Sequence, residues 1–418
     1  MSSDPASSAG AILEIDLGGI VANWRLLAQK AAPAACAAVV KANAYGLGAA
    51  PVARVLQAAG CRLFFVATLD EAIALRGALG PEPVIAVFNG PFPGTAVEFA
   101  AHNLIPVLNH PGQIEAWQKA PLAPTGAKRE RGRDRSRSDG RVRAYDGGTP
   151  SPAFGLRPQA PSPAMQEREA PTAILHVDTG MSRLGLTARE FATLATELPQ
   201  SGIAWRAVIS HLACADSPDH PLNEQQRTRF AAAARHMSGV PSGLAASSGI
   251  FLGRPYHFDL VRPGAALYGV NPQPGHPNPL RQVVRLTGKI LQIREIDRGE
   301  SVGYGAAHVM ETAGRVATVA VGYADGWLRS LSHRGCGYIA GKRIPLLGRV
   351  SMDLVTFDVS AVDPALAHLG AMVELLGQHY GVDDAATDAG TIGYEILTAL
   401  GARYHRIYRD PAATNHPA

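Results

Sequence analysis

Short apolar runs recur along the first two thirds of the chain, and most are followed by a stretch with helical spacing. CAAVVK (36–41) precedes PVARVLQAAG, in which Val52, Val55, Leu56 and Ala59 fall on one helical face. RLFFVAT (62–68) precedes LDEAIALRGALG, where Asp70 and Glu71 favour the positive start of a helix and Gly80 stops it. PVIAVFN (83–89), LIPVLN (104–109), TAILHVD (172–178), IAWRAVISHLA (203–213), GLAASSG (243–249) and HFDLVRP (257–263) bring the strand candidates to eight. The first four begin 21–26 residues apart, too far for hairpins and suited to strand–helix–strand crossovers, which force parallel pairing. Eight such units predict a closed (β/α)8 barrel over residues 11–270. An open doubly wound sheet is the structural alternative, but no GxGxxG follows the first run.

From about residue 275 the pattern changes. VVRLTGKILQIREI, RVATVAVGYA, GYIAGKRIPLLGRV, DLVTFDVS and MVELLG are strand-like runs set apart by short polar or glycine-rich turns, with no long amphipathic helix until TIGYEILTALG. A second, mostly β domain is expected over 271–410. Residues 126–170 fit neither pattern. They are rich in Arg, Ser, Pro and Gly with little apolar periodicity, a composition that cannot offset its ordering entropy and so predicts a disordered insert in the barrel. The ends, 1–10 and 411–418, read as frayed tails.

A length of 418 residues fits two domains with ample core, and 46% hydrophobic against 18% charged residues excludes wholesale disorder, a disulfide mini-protein and a collagen. No run approaches the roughly 18 apolar residues of a membrane-spanning helix, and MSSDPASSAG lacks the basic and apolar regions of an export signal. Cys36, Cys61, Cys214 and Cys336 are far apart with no CxxC or Cys/His spacing. A reducing cytoplasm is therefore expected, with no metal site. The net charge of +4 has a local origin: eight Lys/Arg face three acids between residues 128 and 143, and the rest of the chain is nearly neutral. That run, RERGRDRSRS within it, reads as a solvated linker with no nucleic-acid partner expected; an RNA-docking role is the alternative.

In a barrel of this kind the active site lies at the C-terminal ends of the strands, so polar residues just past each run are the candidates. Lys41 and Tyr45 follow the first, Arg183 the fifth, His211 ends the sixth, Ser247, Ser248 and Gly249 end the seventh, and Arg262, Pro263 and Gly264 the eighth. A lysine at a partly apolar mouth is a candidate covalent nucleophile, since desolvation frees its amine. Hydroxyls and backbone N–H groups after strands seven and eight make a phosphate site. Lysine plus phosphate cradle points to pyridoxal 5′-phosphate, although phosphosugar aldolases use the same parts.

VVKANAYGLG, HVDTGMSRLG, LVRPGAALYG, SVGYGAAH, VGYADGW, GRVSMD and TIGYEI resemble, in this order, the motifs of bacterial alanine racemases. The resemblance runs from about residue 11 to 410 and omits the insert. It implies a cytoplasmic enzyme that interconverts L-alanine and D-alanine with pyridoxal 5′-phosphate, supplies D-alanine for peptidoglycan, and acts as a head-to-tail homodimer. Lys41 then holds the cofactor as an internal aldimine and is the base for D-alanine. Tyr304, in SVGYGAAH, is the base for L-alanine and comes from the partner subunit. A racemase needs two groups because the proton leaves one face of Cα and returns on the other.

The resemblance further places Arg262 at the pyridine nitrogen, where a permanently protonated arginine makes a weaker electron sink than a carboxylate partner would. His211 holds Arg262 in place. Tyr45, Ser248, Gly264 and Tyr394 contact the phosphate, and Ala265 adds a backbone N–H there. Arg183 and the backbone around Met352 contact the substrate carboxylate and cofactor oxygen, Met352 arriving from the partner. Tyr323 narrows the access path, with Asp353 beside it. Three positions depart from the family pattern: His176 stands where many relatives carry a carbamylated lysine, Ser247 where asparagine is frequent, and Ser351 where cysteine is frequent. Two other readings are a fold-related decarboxylase, disfavoured by Arg262, and a non-catalytic carrier of the cofactor, disfavoured by the β domain with Tyr304.

Overall fold

The computed structural model describes residues 8–119 and 170–410. The expected insert at 126–170, Ala170 apart, and the tail at 411–418 lie outside the described residues, as do residues 1–7. Gly10, expected in the frayed N-terminal tail, already accepts a hydrogen bond from the Lys289 amide.

The first strand, β1 (Ala11–Asp16), buries alternate residues and pairs antiparallel with β11 (Val284–Ile296) and parallel with β19 (His405–Arg409). The domain expected to start the barrel at residue 11 therefore begins with a strand of the other sheet. AILEID has the right alternation, but its partners lie some 270 and 390 residues away, beyond what local spacing shows. Asp16 then caps α1 (Leu17–Ala31) by accepting the Gly19 amide at 2.8 Å, which carries the chain to the barrel.

All eight expected barrel strands are present. The first is split into β2 (Ala35–Cys36) and β3 (Ala38–Val39); β4 (Leu63–Val66), β5 (Val84–Val87), β6 (Ile105–Leu108), β7 (Thr172–His176), β8 (Ala204–Ile209), β9 (Ser242–Gly243) and β10 (Leu260–Val261) follow. From β3 to β9 they pair in sequence order, all parallel. A parallel bridge between Ala246 and Arg262 continues the series, and β10 pairs with β2, so the sheet closes on itself. Helices α2 (Ala49–Ala58), α3 (Leu69–Leu79), α4 (Ala96–Ala101), α5 (Pro111–Gln118), α6 (Ala188–Leu194) and α7 (Pro221–His236) form crossovers between strands. Closed crossovers of this kind put every strand's C-terminal end on one rim.

The second domain is mostly β, as expected. In it β14 (Gly314–Val319), β17 (Val355–Asp358), β16 (Lys342–Leu347), β15 (Cys336–Ile339), β18 (Met372–Leu376) and β11 pair in that spatial order, and β11 pairs back onto β14. A register shift between Ile290 and Gln292 lets the 13-residue β11 serve β1 and β18 with one half and β14 with the other. A small hairpin, β12 (Ser301–Val302) and β13 (His308–Val309), and two helices, α8 (Val382–Ala389) and α9 (Gly393–Ala399), complete it. The buried apolar core is continuous between the domains, and the turn after β3 packs against α9. Gly46, at φ +86°, lies so close to the Leu397 carbonyl that only a residue without Cβ fits.

Candidate active site

Lys41 follows β3 directly. The Val39 and Val40 amides bond to the carbonyls of Pro263 and Phe65 on the two neighbouring strands, so the chain is pinned on both sides where Lys41 leaves the sheet. Ala42, Asn43, Ala44 and Tyr45 then all adopt left-handed backbone with φ of 52–54°. At about 1–2 kcal/mol per non-glycine residue this is a heavily strained turn, and such strain persists only where neighbours over-determine it. The neighbours are visible. The Ala42 amide donates to Glu71 Oε1 at 2.6 Å, Asn43 Oδ1 accepts from the Ala49 amide at 2.8 Å, and Arg406 Nη1 donates to the Gly46 carbonyl at 2.6 Å.

The turn delivers the Tyr45 ring beside Tyr268 and Tyr394, with ring centroids 4.9 and 6.0 Å apart. A Cβ at Gly264 would collide with the Tyr45 hydroxyl, so the glycine lets that hydroxyl approach the backbone after β10. Ser247 Oγ accepts the amides of Gly264 and Ala266 at 3.1 Å each, which engages the Gly264 N–H expected to face a phosphate. Four donors at this rim have no acceptor among the described residues: the hydroxyls of Tyr45, Tyr394 and Ser248 and the amide of Ala265. Burial, with Tyr394 beside it, keeps the Tyr45 phenol protonated well above its usual range. The donor set suits a dianionic phosphate.

Arg262 is buried, and its terminal nitrogens donate to the backbone carbonyls of Gly243, Ser210 and Leu244. The support expected from His211 thus comes from strand-end carbonyls, and the His211 ring forms no hydrogen bond to Arg262. Nε of Arg262 has no acceptor among the described residues, and Nη1 uses one of its two N–H groups, so the Nε–H is available to a ring nitrogen. Burial lowers this guanidinium to about 10, still protonated near neutrality.

Asn109, at the end of β6, was not singled out from sequence, although it ends the run LIPVLN. Its amide nitrogen donates to the Phe88 and Val107 carbonyls, so its oxygen must accept from His176 Nδ1 at 2.8 Å. Burial, then Arg262, pushes His176 down to about 4, and the ring is neutral with Nε2 as an acceptor. Burial, then Arg262, Arg183, His176 and Lys41, pushes His211 down to about 3. Lys41 is lowered by burial and by Arg183, with Glu71 opposing. The exposed Arg183 has no ion-pair partner among the described residues. Asp178 is occupied by the amides of Gly180, Met181 and Ser182, and Glu71 by those of Ala42, Ala67 and Thr68. Lys41, Arg183 and Arg262 therefore give the mouth a cationic surplus that favours a ligand with phosphate and carboxylate groups. Thr179, Ser210 and Gln226, also unforeseen, hold the Arg183 loop to β8 and α7: Thr179 Oγ1 lies 2.8 Å from Ser210 Oγ and accepts from Gln226 Nε2 at 3.3 Å.

The sequence model described as "Alanine racemase, N-terminal domain" matches residues 15–130 and 159–272, and that described as "Alanine racemase, C-terminal domain" matches residues 283–408. The chain belongs to the alanine racemase family. It is 48% identical to an alanine racemase of Rhodospirillum rubrum over 402 residues, covering 96% of both chains. It is 46% identical to a catabolic alanine racemase of Mesorhizobium japonicum, covering 96% of this chain and 94% of the relative. Among solved structures, the alanine racemase of Bartonella henselae with covalently bound pyridoxal phosphate superposes with a TM-score of 0.81 at 38% identity, covering 96% of this chain and all of that one.

The racemase residues expected outside the barrel lie elsewhere in this single chain. Tyr304 is 72% exposed beside the β12–β13 hairpin. Met352 is exposed, and its carbonyl accepts the Ala324 amide, while the Tyr323 amide bonds to the Ser351 carbonyl. Asp353 accepts from Arg403 Nη1 at 2.7 Å, and Arg403 also contacts the buried Asp325 at 3.1 Å. Tyr323, Met352 and Asp353 thus form one zipped pair of loops.

Proposed function

We propose that this alanine racemase interconverts L- and D-alanine by two-base proton transfer, with Lys41 and Tyr304 on opposite faces of Cα. The observation that carries the reading is the barrel mouth: one partly desolvated lysine, a buried arginine whose Nε–H is unengaged, and unengaged phosphate donors on one rim. Pyridoxal 5′-phosphate, when bound, supplies the electron sink that acidifies the Cα–H of an attached amino acid. Lys41 would hold it covalently, while Tyr45, Tyr394, Ser248 and the Ala265 amide take its phosphate. Arg262 would offer its Nε–H to the ring nitrogen without surrendering a proton, which would limit the sink and disfavour transamination and decarboxylation. Arg183 binds the substrate carboxylate, with His176 Nε2 as the neutral acceptor beside it.

A second copy of the chain completes the site. Tyr304, Met352, Val309, Leu354 and Ile392 are exposed, and Ile392 directly precedes α9 against the barrel turn. Exposed apolar residues suit an interface with a second copy, and a head-to-tail homodimer would bring Tyr304 and Met352 to the partner's mouth, with Tyr323 and Asp353 narrowing access. Among the described residues no helix is long and apolar enough to cross a membrane. The reading places the enzyme in the cytoplasm, supplying D-alanine for peptidoglycan. The relative named as catabolic supports a second reading, the same reaction run toward alanine breakdown.

The test is proton NMR of the cofactor-loaded protein with L-alanine in heavy water, followed by chiral analysis. Loss of the α-proton signal with D-alanine formed is the expected result; exchange without inversion, or racemisation by Tyr304→Phe at the wild-type rate, would overturn it. D-alanine auxotrophy on deletion of the gene separates supply from breakdown.

A further inference from the structure

Glu71 does more than cap a helix. It completes a capping box with Thr68 at the start of α3, yet its carboxylate also reaches across the rim. Oε2 accepts the Ala67 and Thr68 amides at 2.8 and 3.3 Å, at the end of β4, while Oε1 accepts the Ala42 amide at 2.6 Å. Ala42 directly follows Lys41 and opens the left-handed turn. One half-buried carboxylate thus ties the C-terminal ends of the first two barrel strands together at the residue beside the lysine.

Resting on the function proposed above, we infer that Glu71 is a positioning residue for Lys41, its carboxylate clamping the Ala42 N–H and thereby fixing the turn that aims Lys41 and Tyr45 into the mouth. Two independent features support this. The turn has no glycine at its four left-handed positions, so it needs an external tie at its first residue, and Glu71 supplies one. The groups facing the Lys41 ammonium are Arg183 from the loop after β7, His211 from the end of β8 and Glu71 from α3, with the Phe88 ring 6.0 Å away. Of these only Glu71 is an anion, and it raises the lysine's proton affinity against burial and Arg183. A glutamine at 71 offers a single acceptor oxygen, so one of the two strand ends is released and the anion is lost.

The experiment uses full-length protein reconstituted with pyridoxal 5′-phosphate, comparing wild type, Glu71→Gln, Glu71→Ala and Thr68→Val. Three quantities are read: the pH midpoint of the rate of covalent attachment at Lys41, the cofactor dissociation constant, and the thermal midpoint. Thr68→Val removes the helix cap without touching Ala42, so it should lower the thermal midpoint and leave attachment unchanged. Glu71→Gln should move the attachment midpoint to lower pH, and Glu71→Ala should weaken cofactor binding about tenfold, the effect of losing one charged hydrogen bond. Wild-type midpoint and affinity in both Glu71 variants would overturn the inference and leave Glu71 a helix cap. Should borohydride reduction and peptide mapping find no cofactor on Lys41 of the wild type, the functional reading falls and this inference with it.

Discussion

Arg183 brings its charge to the mouth with no carboxylate to meet it, so its removal should be felt by substrate rather than by the fold. Losing a charged hydrogen bond to the alanine carboxylate costs about 1.5–3 kcal/mol. Arg183→Ala should therefore raise KM about ten- to a hundredfold while the thermal midpoint holds; an unchanged KM would remove Arg183 from substrate binding. His176 and His211 act on stability instead. Unfolded, each imidazole takes up a proton near 6.5; folded, burial and the neighbouring cations delay this to about 4 and about 3. The unfolded chain thus binds more protons in between, so their contribution is complete above pH 6.5 and declines as pH falls toward 4 for His176 and toward 3 for His211. Thermal melts should show that decline, and His176→Gln should flatten it; a variant whose melting profile has the wild-type slope over this range would contradict the neutral assignment.

At the scale of elements the turn after β3 joins the two domains. Gly46 has φ +86° and a would-be Cβ against the Leu397 carbonyl of α9, so Gly46→Ala imposes both backbone strain and a clash. A loss of about 2–3 kcal/mol in urea unfolding is expected, with weaker cofactor binding as Tyr45 moves off Gly264; a loss below about 0.5 kcal/mol, the range of ordinary surface changes, would show that this packing is slack. The strand ends carrying Lys41, Arg183, Ser248, Arg262 and Gly264 were legible because β runs reveal themselves by apolar patterning and their C-terminal ends follow. The left-handed turn was not, since KANAY contains no glycine and no residue of it announces positive φ. Asn109 and Glu71 escaped for a related reason: each acts through a backbone group or side chain distant in sequence, and spacing along the chain carries no sign of it.

For the whole molecule, the eight-strand barrel was readable from local periodicity, whereas β1 and β19 were not assigned to the second sheet because their pairing spans nearly the full chain. The same distinction separates the two bases. Lys41 lies at the barrel mouth and Tyr304 on an exposed hairpin of the other domain, and the function proposed above draws them from two chains. Lys41→Ala and Tyr304→Phe proteins should each be nearly inactive alone. If every site takes its lysine from one subunit and its tyrosine from the other, a mixed dimer of the two variants regains one intact site and carries both lesions in its second. Equimolar refolding makes about half the dimers mixed, so about a quarter of wild-type activity should return. Were both bases drawn from one chain, every site would keep a lesion and mixing would restore nothing. Val309→Arg, on the exposed hairpin that carries Tyr304, should shift sedimentation toward monomer and abolish the recovery together, because the returned activity depends on association and not on either variant's fold.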